Sequence, residues 1–123
     1  MRKKKKKILL VEDEPLLVEI YEKKLKEIGV LVLKAFSAEE AKKYLEKEKN
    51  INLIVLDILL PKQNGISFLS EVKKSRACPS VVILSNLEDV KLREKAKKLK
   101  VKEYLLKANY TPAQIVEKIK KYL

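Results

Sequence analysis

Four apolar runs in this 123-residue chain each end on a group that can do chemistry. "ILLV" leads into Glu12, Asp13 and Glu14, "LIVL" into Asp57, "VVIL" into Ser85, and "EYLL" into Lys107. Carboxylates placed close together repel one another and resist ionisation unless a cation shares their site. A divalent ion with oxygen ligands, Mg2+, and the Lys107 ammonium would together supply that neutralisation. An in-line phosphoryl transfer asks for a nucleophile, charge neutralisation on the equatorial oxygens and a metal bridge. A lone carboxylate, an acid pair, a hydroxyl and a lysine meet that requirement by type.

The groups can meet only if the runs that carry them are neighbouring strands. Strand-like apolar runs occur at Ile8–Val11, Val30–Leu33, Ile51–Leu56, Val81–Leu84 and Tyr104–Leu106, separated by charged amphipathic segments of helical period. The order is βα repeated five times. Strands that are apolar throughout and alternate with helices imply a parallel sheet covered on both faces, with right-handed crossovers. In such an open α/β sheet, ligands bind outside the carboxyl ends of the strands, where these polar groups stand.

Local signals mark the helices. Leu17, Ile20, Tyr21, Leu25 and Ile28 share one face of the first, and Gly29 is placed to end it. Ser37 with Glu40 reads as a capping box for the second helix. Asn86 is the expected cap of the fourth, and Thr111, Pro112 and Gln114 open the last.

Composition excludes several classes. The length suits one domain, residues 1–123, with a basic arm over residues 1–5. Lys and Arg number 29 against 17 acids, a net charge of +12, which favours anionic partners. A Cys/His zinc site is excluded by one cysteine, Cys78, and no histidine. No apolar run approaches a membrane span, and the basic start lacks the apolar core of a signal peptide, so a cytoplasmic protein without a membrane partner is expected.

Taken in this order and spacing, "ILLVEDE", "LIVLDILLPKQNG", "VVILSN" and "EYLLK" resemble the receiver domain of two-component response regulators, over almost the whole chain. The resemblance implies a doubly wound, flavodoxin-like (βα)5 fold with strand order 2-1-3-4-5. It implies that Asp57 is the phosphoacceptor, that Asp13 binds Mg2+ directly and Glu12 through water, and that the Leu59 backbone carbonyl is a further ligand. Ser85 and Lys107 would contact phosphoryl oxygens, and Tyr104 would be the aromatic whose rotamer reports phosphorylation. The implied role is a stand-alone switch, loaded by a histidine kinase or phosphotransfer protein, that changes its helix 4/strand 5/helix 5 face for a downstream protein. Leu59 and Leu87 occupy positions that in receivers border the path of the hydrolytic water.

The chain departs from the family pattern at three places. Ala108 follows Lys107 where receivers commonly have a proline after a cis bond, Lys100 stands where a glycine usually closes helix four, and Asn64 replaces an acid before Gly65. Two other readings compete. A nucleic-acid or scaffold-binding module would use Arg2 to Lys7 and the lysine-rich helices, but the basic run has no interleaved aromatics and no helix-turn-helix follows it, so this is not favoured. A phosphatase with a nucleophilic strand-end aspartate would want a second aspartate two positions on, where Leu59 stands. Singly, Asp57 could cap a turn, Glu12 or Asp13 could cap the first helix, and Ser85 could be a loop hydroxyl.

Overall fold

The computed structural model describes residues 5–60, 63–75 and 78–123. Five strands, β1 (Lys7–Val11), β2 (Leu31–Ala35), β3 (Leu53–Leu56), β4 (Ser80–Ser85) and β5 (Glu103–Leu106), alternate with helices α1 (Pro15–Glu27), α2 (Ala38–Lys47), α3 (Gly65–Lys73), α4 (Val90–Lys98) and α5 (Pro112–Lys120). The sheet is parallel throughout, in the order β2-β1-β3-β4-β5. The expected fold and strand order are therefore present.

Both faces of the central strands are buried, and the pleat divides their side chains between two cores. Ile8, Leu10, Val55, Val82 and Leu84 face α1 and α5, where Tyr21, Leu25, Ile115 and Ile119 meet them. Leu9, Val11, Ile54, Leu56 and Ile83 face α2, α3 and α4, against Ala41, Phe68, Leu69 and Ala96. Sequence periodicity overestimates the buried face of α1. Val18, Tyr21 and Leu25 are buried, whereas Ile20 and Ile28 are exposed, because one sheet face covers only a narrow stripe of the helix.

Helix ends follow side-chain chemistry with two corrections. Thr111 and Gln114 form a full capping box on α5. On α2, Ser37 accepts from the Glu40 N–H, but the Glu40 carboxylate accepts from the Phe36 N–H instead of closing the box. The cap of α4 is Asp89, which accepts from the Lys91 and Leu92 N–H groups, and Asn86 lies in the preceding loop. A carboxylate at that position also answers the positive end of the helix dipole.

Two helices close with the same left-handed turn. At the end of α1 Gly29 adopts φ +81°, with the Gly29 N–H on the Lys26 carbonyl and the Val30 N–H on that of Leu25. At the end of α4 the same two bonds run from Lys100 to Lys97 and from Val101 to Ala96, but the left-handed residue is Lys100, φ +60°. A side chain in that conformation costs roughly 1–2 kcal/mol relative to glycine.

Gly65 has a different task. A Cβ there would lie 2.5 Å from the Ile58 Cα and 2.8 Å from the Asp57 carbonyl oxygen. The N-terminus of α3 is seated directly on the loop that leaves β3, and the Gly65 N–H donates to the Ile58 carbonyl at 2.8 Å. Asn64, in place of the usual acid, caps α3 through the Ile66 N–H.

Candidate functional site

The site is assembled by strand register. Val11 pairs with Leu56, so the residues that follow them, Glu12 and Asp57, emerge side by side. The backbone continues the ladder past each strand, with Glu12 N–H on the Ala35 carbonyl and Asp57 N–H on that of Val11, both at 3.0 Å. Neither carboxylate reaches bulk water freely: Glu12 is 1% exposed and Asp57 5%.

What makes this burial tolerable is Lys107. Its ammonium donates to Glu12 Oε2 at 2.5 Å and to Asp57 Oδ2 at 2.9 Å, and its side chain is only 7% exposed. Lys107 arrives there from a short 3-10 turn, Lys107–Asn109, that continues β5. The bond to Ala108 is trans, as are all peptide bonds among the described residues, so loss of the usual proline leaves the lysine in place. The remaining oxygens are also used. Asp57 Oδ1 accepts from the Leu59 N–H at 3.0 Å, and Glu12 Oε1 accepts from the Glu14 N–H at 3.3 Å. Glu12 thus supports the entry to α1, where Glu14 is the cap residue but makes no side-chain cap bond.

Electrostatics show which charges the site holds. Burial pushes Glu12 up to about 7; the Lys107 hydrogen bond pulls it down, and the Asp57 charge pushes it up. Burial opposes the Lys107 ammonium, yet its bonds to Glu12 and Asp57 prevail and hold its pKa above the ordinary lysine value. Carboxylate oxygens of Glu12, Asp13 and Asp57 lie within 4.8 Å of one another, with Asp13 exposed at the mouth. Three carboxylates against one ammonium leave two negative charges, which a divalent cation would neutralise, and hard oxygen donors suit Mg2+. The residues present fit the ion.

Ser85 and Tyr104 act on a third loop. Ser85 ends β4, fully buried, and its hydroxyl accepts from the Leu87 N–H at 3.3 Å. Tyr104 of β5 donates its hydroxyl to the Leu87 carbonyl at 2.5 Å. One peptide residue, Leu87, is therefore held at both its N–H and its carbonyl. The Arg93 guanidinium stacks over the Tyr104 ring at 4.5 Å, a contact that spacing alone did not reveal because it joins α4 to β5. Leu59 is 53% exposed and Leu87 half-buried. Cys78 is half-buried and free, and burial raises its thiol pKa.

The strand order and the strand-end acids together define a class, and comparison with known proteins agrees. The family model described as "Response regulator receiver domain" matches residues 8–120, and the chain belongs to that family. Among curated relatives, the "Probable transcriptional regulator ycf27" of Porphyridium aerugineum is 33% identical over 119 residues, 97% of this chain and 48% of that protein. The chain thus spans about half the length of the curated relatives it first matches. A response regulator receiver protein from Pseudomonas putida superposes with TM-score 0.88 at 27% identity, covering 98% of this chain and 99% of that one. The Mn(2+)-bound form of response regulator Rcp1 superposes with TM-score 0.83 at 27% identity, covering 95% and 93%. Among the described residues no helix is long and apolar enough to cross a membrane.

Proposed function

We propose that this domain is a phosphoacceptor switch in which Asp57 takes a phosphoryl group from a histidine kinase or phosphotransfer protein. The observation that carries the reading is the Lys107 ammonium bridging two buried carboxylates at adjacent strand ends. Asp13 and Asp57, the Leu59 carbonyl, and Glu12 through water would hold Mg2+, as the solved relative Rcp1 holds Mn2+. When bound, the ion would neutralise carboxylate and phosphoryl charge.

The protein's own residues do the rest. An Asp57 oxygen attacks phosphorus, the bond from phosphorus to the donor breaks, and an acyl phosphate forms. Lys107, already on Asp57 Oδ2, stays with the phosphorylated side chain and offsets its added charge. The Ser85 hydroxyl accepts from the Leu87 N–H and keeps its own O–H to donate to a phosphoryl oxygen, so a shift of Oγ toward that charge pulls on Leu87. Leu87, held at its carbonyl by the Tyr104 hydroxyl, passes that shift on, so the β4–α4 loop and the Tyr104 ring change together. The α4, β5 and α5 surface then differs for a downstream protein. This is a signalling domain whose chemistry is confined to its own aspartate.

Acetyl phosphate with Mg2+ is expected to add one phosphoryl mass to the intact protein. Asp57→Ala is expected to abolish the gain, and undiminished labelling of that variant refutes the assignment. Lifetime is a second measurement. Leu59 and Leu87 offer no hydrogen bond to an attacking water, so slow self-dephosphorylation is expected. Leu59→Asn combined with Leu87→Glu should shorten the decay, and an unchanged decay would assign the rate to another feature.

A further inference from the structure

The charges of this chain are divided between the two ends of the sheet. Every helix runs antiparallel to the strands, so all five helix C-termini lie at the end opposite Asp57, and each carries lysine in its last turn. One group of lysines stands where α4 turns into β5. Lys97, Lys98, Lys100 and Lys102 fall within six residues and all are exposed. Lys73 of α3 reaches across to the Lys100 carbonyl at 3.5 Å and fixes this corner to the neighbouring helix. None of these five lysines belongs to an ion pair among the described residues. Of the nearest acids, Glu94 lies one turn back, and Glu103 accepts from the Tyr122 hydroxyl at 2.6 Å.

Helix chemistry explains only part of the cluster. Lysines in the last turn complement the dipole, which accounts for Lys97 and Lys98. Lys100 and Lys102 lie beyond the helix, and Lys100 holds a left-handed backbone that glycine adopts freely, as Gly29 does at the end of α1. Neither the helix dipole nor the backbone conformation accounts for a lysine at position 100.

We propose that this corner is a docking surface for the phosphate backbone of double-stranded DNA. Exposed lysine ammonium groups match phosphates as point charges without reading sequence. Among the described residues the corner has no fully exposed aromatic ring on which unpaired bases could stack, Tyr104 and Tyr122 beside it being half-buried, which disfavours single strands. The large exposed apolar residues, Leu16, Ile20, Ile28, Leu31, Leu59 and Val90, all lie elsewhere, so there is no anchor for a lipid surface or apolar centre for a protein partner. Because the corner is at the end opposite Asp57, docking leaves the acid cluster open, and the inference does not rest on the phosphoacceptor reading.

Fluorescence anisotropy with a short labelled DNA duplex, over roughly 50 to 200 mM NaCl, tests it. The full chain is expected to bind with micromolar or weaker affinity and a steep salt dependence. Lys98→Gln, Lys100→Gln and Lys102→Gln together should weaken binding at low salt roughly tenfold or more and reduce the slope of log affinity against log salt by about 3. The control variant Lys23→Gln, Lys43→Gln and Lys91→Gln removes the same charge from exposed positions elsewhere, and should bind more tightly than the corner variant. Lys100→Gly should melt no lower than the parent yet bind more weakly, with the slope reduced by about 1. An equal loss in the control variant, parent-like binding by Lys100→Gly, tighter binding to single-stranded DNA or to duplex RNA, or equal adsorption to anionic phospholipid vesicles would each overturn the proposal.

Discussion

At the carboxyl end of the sheet, a few charges are buried, paired and mutually dependent. At the amino end many charges are exposed, and among the described residues the lysines of the α4–β5 corner enter no ion pair. Glu12, Asp57 and Lys107 share two ion-pair contacts in a site from which water is nearly excluded. Lys97, Lys98, Lys100 and Lys102 sit in water, where each is screened and contributes little to stability alone. The first arrangement makes the loss of any one member costly to the others. The second makes its members nearly free to vary for folding and additive for long-range attraction.

The comparison is broken most severely by removing Lys107. Lys107→Ala leaves two buried carboxylates with no counter-charge, and truncating one partner of a buried pair costs about 3–5 kcal/mol. A large fall in melting temperature is expected in metal-free buffer, partly restored by saturating Mg2+. A variant as stable as the parent without the ion would show that water already reaches the site.

Glu12 sharpens the same contrast through pH. Its folded pKa, raised from 4.5 to about 7, means that the folded state binds more protons than the unfolded chain between those values. Its contribution to stability is therefore full below pH 4.5 and is lost as pH rises toward 7, by at most about 3 kcal/mol. In denaturant titrations without Mg2+, the parent should lose stability relative to Glu12→Gln as pH rises through this window. Parallel curves for the two proteins would refute the shift, and saturating Mg2+, which favours the ionised carboxylate, should flatten the difference.

The smallest effect is expected at the basic end. Lys100→Gly relieves a left-handed side chain and should stabilise the domain by about 1 kcal/mol, a rise of a few degrees in melting temperature. No single neutralisation among Lys97, Lys98 and Lys102 should change stability by more than about 0.5 kcal/mol. Larger losses would mean that this end is held by its charges.

The sheet was legible in the sequence because its central strands are buried on both faces, and continuous apolar runs such as Leu53–Leu56 survive any choice of register. Strand-end chemistry was legible for the same reason, since Asp57 and Ser85 interrupt apolar runs where a core residue would otherwise continue. The cap of α4 was less so. Asn86 and Asp89 are both good caps, and only the path of the loop, held through Leu87, decides that Asp89 meets the helix N-terminus. The exposure of Ile20 and Ile28 was likewise invisible to periodicity, which marks a face without saying how wide a stripe its neighbour covers. The basic arm proposed for residues 1–5 lies outside the described residues, apart from Lys5, which is exposed.

By itself the sequence determined the element order, the parallel sheet and the kinds of group that stand at the strand ends. Apolar period and helix-end chemistry are local properties, and a chain carries them before it folds. Only the tertiary structure decided that Lys107 holds Glu12 and Asp57 together without a proline after it, that Gly65 must lack a Cβ beside Ile58, and that Leu87 is gripped from two strands at once. The Lys107 and Tyr104 contacts join residues far apart in the chain, and the Gly65 contact depends on how the loop after β3 folds back. Their distances are set by register and packing, which no local pattern specifies.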